Sequence, residues 1–182
     1  YIGRLSQEKG VQTAIMALSY LTHQKKYQNL QLLIAGAGEP EYETELRELV
    51  QQEQLEPNVK FLGLQPKDAI PELYQQADIF LFTSIWPEPF GRVIVEAMAS
   101  GVAVIGAPVG GAAEIMIEKE NALQFIPGDA ENLASQIEEL LKSPSLCHQI
   151  SEAGKKTARA KFDLQRMVDE IEVYLQSLIV RK

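Results

Sequence analysis

The sequence predicts an α/β fold: a doubly wound, mostly parallel sheet of six strands with helices on both faces and extra helices at the C-terminal end. Two observations carry that expectation. Short β-rich runs alternate with amphipathic helical stretches, the order of successive βαβ units. Several of the runs, such as Ile79-Phe80-Leu81-Phe82, are apolar without interruption, which is the mark of parallel strands covered by helices on both faces.

The elements follow in chain order. Strands are expected at Tyr1–Gly3, Leu30–Ala35, Val59–Leu62, Ile79–Thr83, Val102–Ile105 and Ala122–Phe125. Helical periodicity occupies Gly10–Leu21, Glu41–Glu53, Pro66–Gln75, Gly91–Ser100, Ala112–Glu118 and Glu131–Leu141. After Pro144 the pattern is wholly helical, over Leu146–Lys161 and then Leu164–Val180. The last segment carries Met167, Ile171, Val173, Tyr174 and Leu178, a broad apolar stripe for a terminal helix. Such a stripe either packs on the chain's own sheet or, as a C-terminal helix over residues 163–180, reaches toward another domain.

Composition narrows the function classes. At 182 residues, 46% hydrophobic and 23% charged, the chain has the size and composition of one globular domain. It starts part-way through an apolar strand, so it reads as an excised piece of a longer protein, with any partner domain missing. A net charge of −8 argues against nucleic-acid binding, which rests on clustered Lys and Arg. Cys147 is the only cysteine, so no internal disulfide or thiolate metal cluster is expected and a reduced, cytoplasmic setting fits. Peripheral attachment at a membrane surface is left to the missing domain.

In a doubly wound sheet, ligands bind beyond the carboxyl ends of the strands, where loops lead into helix N-termini. Gly3-Arg4 follows the first strand and Lys9-Gly10 opens the first helix, which places two cations around one turn. Arg offers a planar fork matched to phosphate oxygens, and Lys a compact point charge. With the outward N–H groups of a helix start, they make a diphosphate pocket that needs no metal. A solvated surface pair is the plain alternative.

The segment Glu88-Pro89-Phe90-Gly91-Arg92-Val93-Ile94-Val95-Glu96 holds two carboxylates, the second inside an apolar helical run. A buried carboxylate there needs a polar partner. Eight residues of helix rise ~12 Å, whereas glycosidase carboxylates stand only ~5–9.5 Å apart. Glu88 is expected in the loop before the helix, which leaves the separation open; if it is nearer the larger value, the pair brackets the two sugars of a nucleotide-sugar, with Glu96 on the ribose diol and Glu88 on the transferred sugar. The plain alternatives are an N-terminal helix charge for Glu88 and a buried ion pair for Glu96.

Two glycine loops share this edge. Pro108-Val109-Gly110-Gly111 precedes a helix containing Glu114 and either opens backbone amides to a ligand or is a simple turn. Gly36-Ala37-Gly38-Glu39 begins like a dinucleotide fingerprint, but it has Glu at the third small position and follows the second strand, so nicotinamide binding is set aside. His23 and His148 lack metal-ligand spacing.

Gly3-Arg4-Leu5…Lys9-Gly10, Phe61-Leu62-Gly63, Glu88-Pro89-Phe90-Gly91…Glu96-Ala97-Met98-Ala99, Gly101 and Gly110-Gly111…Glu114 together resemble the C-terminal half of retaining glycosyltransferases with two Rossmann-like domains, the B-type fold, and specifically family four of that class. The resemblance spans essentially the whole chain. It implies that Arg4 and Lys9 hold the donor diphosphate and stabilise it as leaving group, where other glycosyltransferases use a metal on an Asp-x-Asp motif; this chain has no Asp-x-Asp, and neither metal nor other cofactor is expected. It implies that Glu88 touches the donor sugar, with Gly3, Pro89, Phe90, Gly91, Gly110 and Gly111 around the donor. Glu96 is implied as the ribose ligand, and Leu62, Gly63 and Leu64 as the wall of the base pocket. Ala103 stands where the family has Pro, a departure that bears on the start of a strand and on no contact.

The implied activity is transfer of a hexose from a nucleotide-diphosphate sugar to an acceptor with retention, the acceptor attacking the face from which the diphosphate leaves. Charge stabilisation of the leaving group then carries the catalysis. A UDP-sugar is favoured over a GDP-sugar. The acceptor, a glycan, lipid or small molecule, belongs to the missing domain, so this chain alone is expected to bind donor and transfer nothing. A nucleotide-sugar epimerase and a non-catalytic sugar-nucleotide binding module are the rival readings.

Overall fold

The structure is a computed structural model that describes residues 1–179. It is α/β with parallel strands and helices on both faces, as the sequence predicts. The strands are β1 (Leu32–Ala35), β2 (Val59–Gly63), β3 (Ile79–Phe82), β4 (Ala103–Gly106) and β5 (Leu123–Gln124). The helices are α1 (Val11–Ser19), α2 (Pro40–Gln52), α3 (Ile70–Gln75), α4 (Arg92–Ser100), α5 (Ala112–Ile115), α6 (Ala130–Lys142), α7 (Pro144–Lys161) and α8 (Leu164–Ile179). Val180, at the end of the expected last helix, lies outside the described residues.

The expected six-stranded sheet is divided. β1 pairs with β2, while β3, β4 and β5 form a second, three-stranded parallel ladder. The expected first strand, Tyr1–Gly3, is reduced to a bridge between Ile2 and Ala35. Its hydrogen bonds run only toward β1, from Ala35 N to Tyr1 O and from Gly3 N to Ala35 O, both 3.0 Å. A cavity of about 340 Å³, lined by residues that include Leu18, Leu33, Ile79 and Leu81, lies between the two ladders.

Both faces of the sheets are packed, which is why the strands read as unbroken apolar runs. Ile34 and Ile105 meet Ile15 and Leu18 of α1, Leu46 of α2 and Leu133 of α6 in one half of the core. Phe80, Phe82 and Val104 meet Ile94 and Met98 of α4 and Ile115 of α5 in the other. Helix starts follow their local chemistry. The Asp129 carboxylate accepts from Asn132 N at 2.9 Å ahead of α6, and Ser143 Oγ accepts from Leu146 N ahead of α7, whose first residue is Pro144.

Three expected helices are shorter than their patterns. α1 gives way at Tyr20–Gln24 to a wider π turn, residues 67–69 form turns ahead of α3, and α5 stops where Met116 becomes extended. The last helix settles one alternative left open by its sequence. Its apolar residues do not pack on this chain's sheets, since Leu164, Met167, Ile171, Val173, Tyr174 and Leu178 are all exposed. Among the described residues no helix is long and apolar enough to cross a membrane.

Candidate functional site

The carboxyl ends of the strands carry the residues singled out from sequence. After the Ile2 bridge, the chain runs through Gly3, Arg4 and Leu5 into a 3-10 turn over Gln7–Lys9. Gly10 then adopts a left-handed conformation (φ 65°) as the N-cap of α1. Gly10 has no side chain because a Cβ there would strike the carbonyl of Thr83. The loop after β3 is laced onto this turn: Ile85 N donates to Glu8 O at 2.9 Å, and Thr83 Oγ1 donates to Lys9 O at 2.8 Å.

That lacing brings Glu88 against Lys9. The Lys9 ammonium donates to Glu88 Oε1, and Ser84 Oγ, 2.8 Å away, donates to the same oxygen. The Glu88 side chain is 13% exposed and that of Lys9 27%. Arg4 is far more open; its guanidinium pairs with Glu8 at 3.8 Å. Burial pushes the Glu88 carboxyl up, but the Lys9 and Ser84 hydrogen bonds, with the charges of Lys9 and Arg4, outweigh it and hold the carboxyl below its ordinary value of 4.5. The Tyr1 hydroxyl caps the same turn from behind, donating to Arg4 O at 2.8 Å.

The second glycine loop supports Glu88 from the other side. Gly111 N donates to Glu88 O at 2.7 Å, and a Cβ on Gly111 would collide with Pro89 O. The expectation that these glycines open their amides to a ligand is therefore corrected at Gly111, whose N–H is taken up internally. Gly91, at φ 91°, is the left-handed N-cap of α4. Phe90, just before it, is 45% exposed and meets the Phe162 ring edge-on with centroids 5.5 Å apart.

Glu96 belongs to a separate cluster on α4. Its carboxylate pairs with Arg92 Nε at 3.0 Å, one helical turn away, and lies 3.3 Å from the Tyr74 hydroxyl. The carboxylate expected in a core is instead partly open, with 38% of its side chain exposed. Burial, followed by the Glu96 charge, pushes the Tyr74 phenol well above its ordinary value.

Leu62, Gly63 and Leu64 form the end of β2 and its exit. Leu64 is fully presented at 81% exposure, and beside Gly63 (φ 67°) a Cβ would meet nothing within 4 Å. Gly63 O accepts from Gly36 N at 2.8 Å, and Gly36 itself packs on Gly3. The glycines of Gly36-Ala37-Gly38 thus serve close passage of residues 3–5. The Gly38 amide, just before α2, donates to the chain's own Glu43 carboxylate at 2.7 Å. Arg4, Lys9, Glu88, Gly110 and Gly111 thus gather at one point. The Gly63–Gly36–Gly3 contacts extend the same edge toward the β1–β2 ladder.

Sequence reading missed Ser84, Tyr74 and Arg92. Ser84 carries no motif of its own, although its place just past an apolar strand was a signal. Arg92 lies four residues before Glu96, a helical pairing legible in advance. Among the described residues no group of three or more His, Cys, Asp or Glu is arranged to hold a metal ion.

A Rossmann-like α/β domain with parallel strands and helices on both faces, carrying two cations beside a carboxylate at its strand ends, has the architecture of a B-type glycosyltransferase domain. The chain belongs to the glycosyl transferases group 1 family, whose model matches residues 1–157. It is 32% identical over 172 residues to the N-acetyl-alpha-D-glucosaminyl L-malate synthase of Bacillus anthracis, covering 94% of this chain and 43% of that protein. Among solved structures it is similar to Anabaena HepE in complex with UDP, with a TM-score of 0.89 and 33% identity over 97% of this chain and 47% of that one. It is also similar to the C-terminal domain of a group 1 glycosyl transferase from Francisella tularensis, with a TM-score of 0.82 and 29% identity over 90% of this chain and 84% of that one. The chain spans less than half the length of the curated relatives it matches.

Proposed function

We propose that this chain is the donor-binding domain of a retaining hexosyltransferase of family four, and that the whole protein transfers a hexose from a UDP-sugar to an acceptor held by another domain. The observation that carries the reading is the meeting of Lys9 and Glu88, with Arg4 beside them, at the carboxyl edge of the strands. Arg4 and Lys9 take the diphosphate and stabilise it as it leaves, without a metal. Glu88, oriented by Ser84, accepts from the hydroxyls of the transferred sugar. Glu96 receives the ribose, and Leu62, Gly63 and Leu64 flank the base. The UDP and UDP-glucose complexes of Anabaena HepE support uridine as the base.

The exposed apolar face of α8 supports a second part of the proposal: the helix reaches across to the acceptor-binding domain. A cytoplasmic protein, attached peripherally at a membrane if at all, fits a nucleotide-sugar donor.

A transfer assay on the whole protein with labelled UDP-glucose tests the reading. Product linked to an acceptor is the expected result, and Arg4→Ala should lower turnover ~100- to 1,000-fold, a loss of ~2.7–4 kcal/mol of transition-state stabilisation. Epimerised donor, or bound donor with no product in any condition, favours the rival readings instead.

A further inference from the structure

Lys9 and Glu88 are the two groups to which the proposed function gives adjacent parts of the donor, the diphosphate and the sugar, and in this structure they hold each other. A phosphate oxygen and the Glu88 carboxylate are both anions of similar hydrogen-bonding capacity, so they compete for the same ammonium. Resting on that reading of the site, we infer that Glu88 is a selector: it opposes binding of a bare nucleoside diphosphate by competing for Lys9, and yields Lys9 readily only to a ligand whose sugar hydroxyls give the carboxylate new donors.

The surroundings of Glu88 make the exchange consequential. Its side chain is mostly buried, so water replaces a lost partner poorly, and an ionised carboxylate left short of donors is costly. A bare diphosphate that captures Lys9 leaves Glu88 with Ser84 alone and places another anion close by. A nucleotide-sugar brings the same diphosphate together with hydroxyl donors, and the exchange then balances.

Ser84 keeps the carboxylate from swinging away from this competition. Its single hydroxyl proton has three acceptors in range, Glu88 Oε1 at 2.8 Å, Glu8 O at 3.2 Å and Trp86 O at 3.3 Å. The nearest is also the charged one and takes the proton. Ser84 is 2% exposed and is a positioning residue for Glu88. After transfer, loss of the sugar removes the compensating donors, Glu88 recaptures Lys9, and the diphosphate is expelled.

Calorimetric titration of this chain with UDP and with UDP-glucose, for wild type, Glu88→Gln and Glu88→Ala, tests the selector. Wild type should bind UDP-glucose more tightly than UDP. Glu88→Gln, which keeps the side chain's shape but removes the competing charge, should tighten UDP by ~3- to 10-fold and weaken UDP-glucose, so that the order of affinities reverses. Glu88→Ala, which removes the competing carboxylate outright, should tighten UDP in the same direction, and decides the matter if Glu88→Gln does not fold. If UDP binds both variants no more tightly than wild type, the selector is wrong while the donor site stands. If wild type binds neither ligand, the donor site itself is wrong, and the selector falls with it.

Discussion

Gly110 lies flat against the backbone of Glu88, so near that a Cβ would stand 2.7 Å from the Glu88 nitrogen. The Gly110 backbone is also left-handed, at φ 56°. Gly110→Ala therefore meets both conformational strain and a collision with a backbone that has no room to move cheaply. A loss of about 1–3 kcal/mol is expected, read from urea denaturation. Because the collision falls on the loop carrying Glu88, UDP-glucose affinity should fall as well, and a variant that binds normally would show that the loop tolerates displacement.

The Lys9–Glu88 pair gives stability a defined dependence on pH. The folded carboxyl titrates below its ordinary value of 4.5, so its contribution is fully present above that value and is lost as pH falls through the folded pKa. The difference in unfolding free energy between wild type and Glu88→Gln should be constant from pH 7 to about 5.5 and shrink below about 4.5. Denaturant titrations across that series check it; a difference that grows toward acid pH would contradict the pairing.

α8 should be dispensable to the fold of this domain. Its apolar residues, from Leu164 through Leu178, are exposed, whereas Phe162 just before it packs on Phe90. Removing residues 164–182 while keeping Phe162 should leave the thermal midpoint within about 2 °C of wild type, since a change below ~0.5 kcal/mol moves it by no more in a domain this size. Self-association, followed by sedimentation, should decrease as the exposed apolar stripe is lost.

Much of this was legible in the chain itself, for reasons that vary by residue. Ile79–Phe82 and Ala103–Gly106 announced a parallel sheet because both faces of each strand are buried, which forces apolar residues at consecutive positions. The division of the sheet was not legible, because pairing depends on neighbours in space and Tyr1–Gly3 finds its hydrogen bonds only on the β1 side. Glu88 stood out beside Pro89-Phe90-Gly91, but its bond to Lys9 spans 79 residues and has no local trace. The sequence places Glu96 in a core because Val93, Ile94, Val95 and Ala97 surround it. On the helix it turns outward and meets Arg92 instead. Gly36 and Gly38 resembled a phosphate-binding fingerprint for a real physical reason, close approach of backbone, although the approaching backbone is that of Gly3 and Leu5.

The proposed donor site at the Lys9 turn is tested most directly by calorimetric titration of UDP into this chain and its Arg4→Ala and Lys9→Ala variants. One UDP is expected to bind per chain, with affinity at least ~10-fold weaker in each variant, a change of ~1.4 kcal/mol. Binding to wild type that neither substitution weakens would place the diphosphate elsewhere and contradict the account.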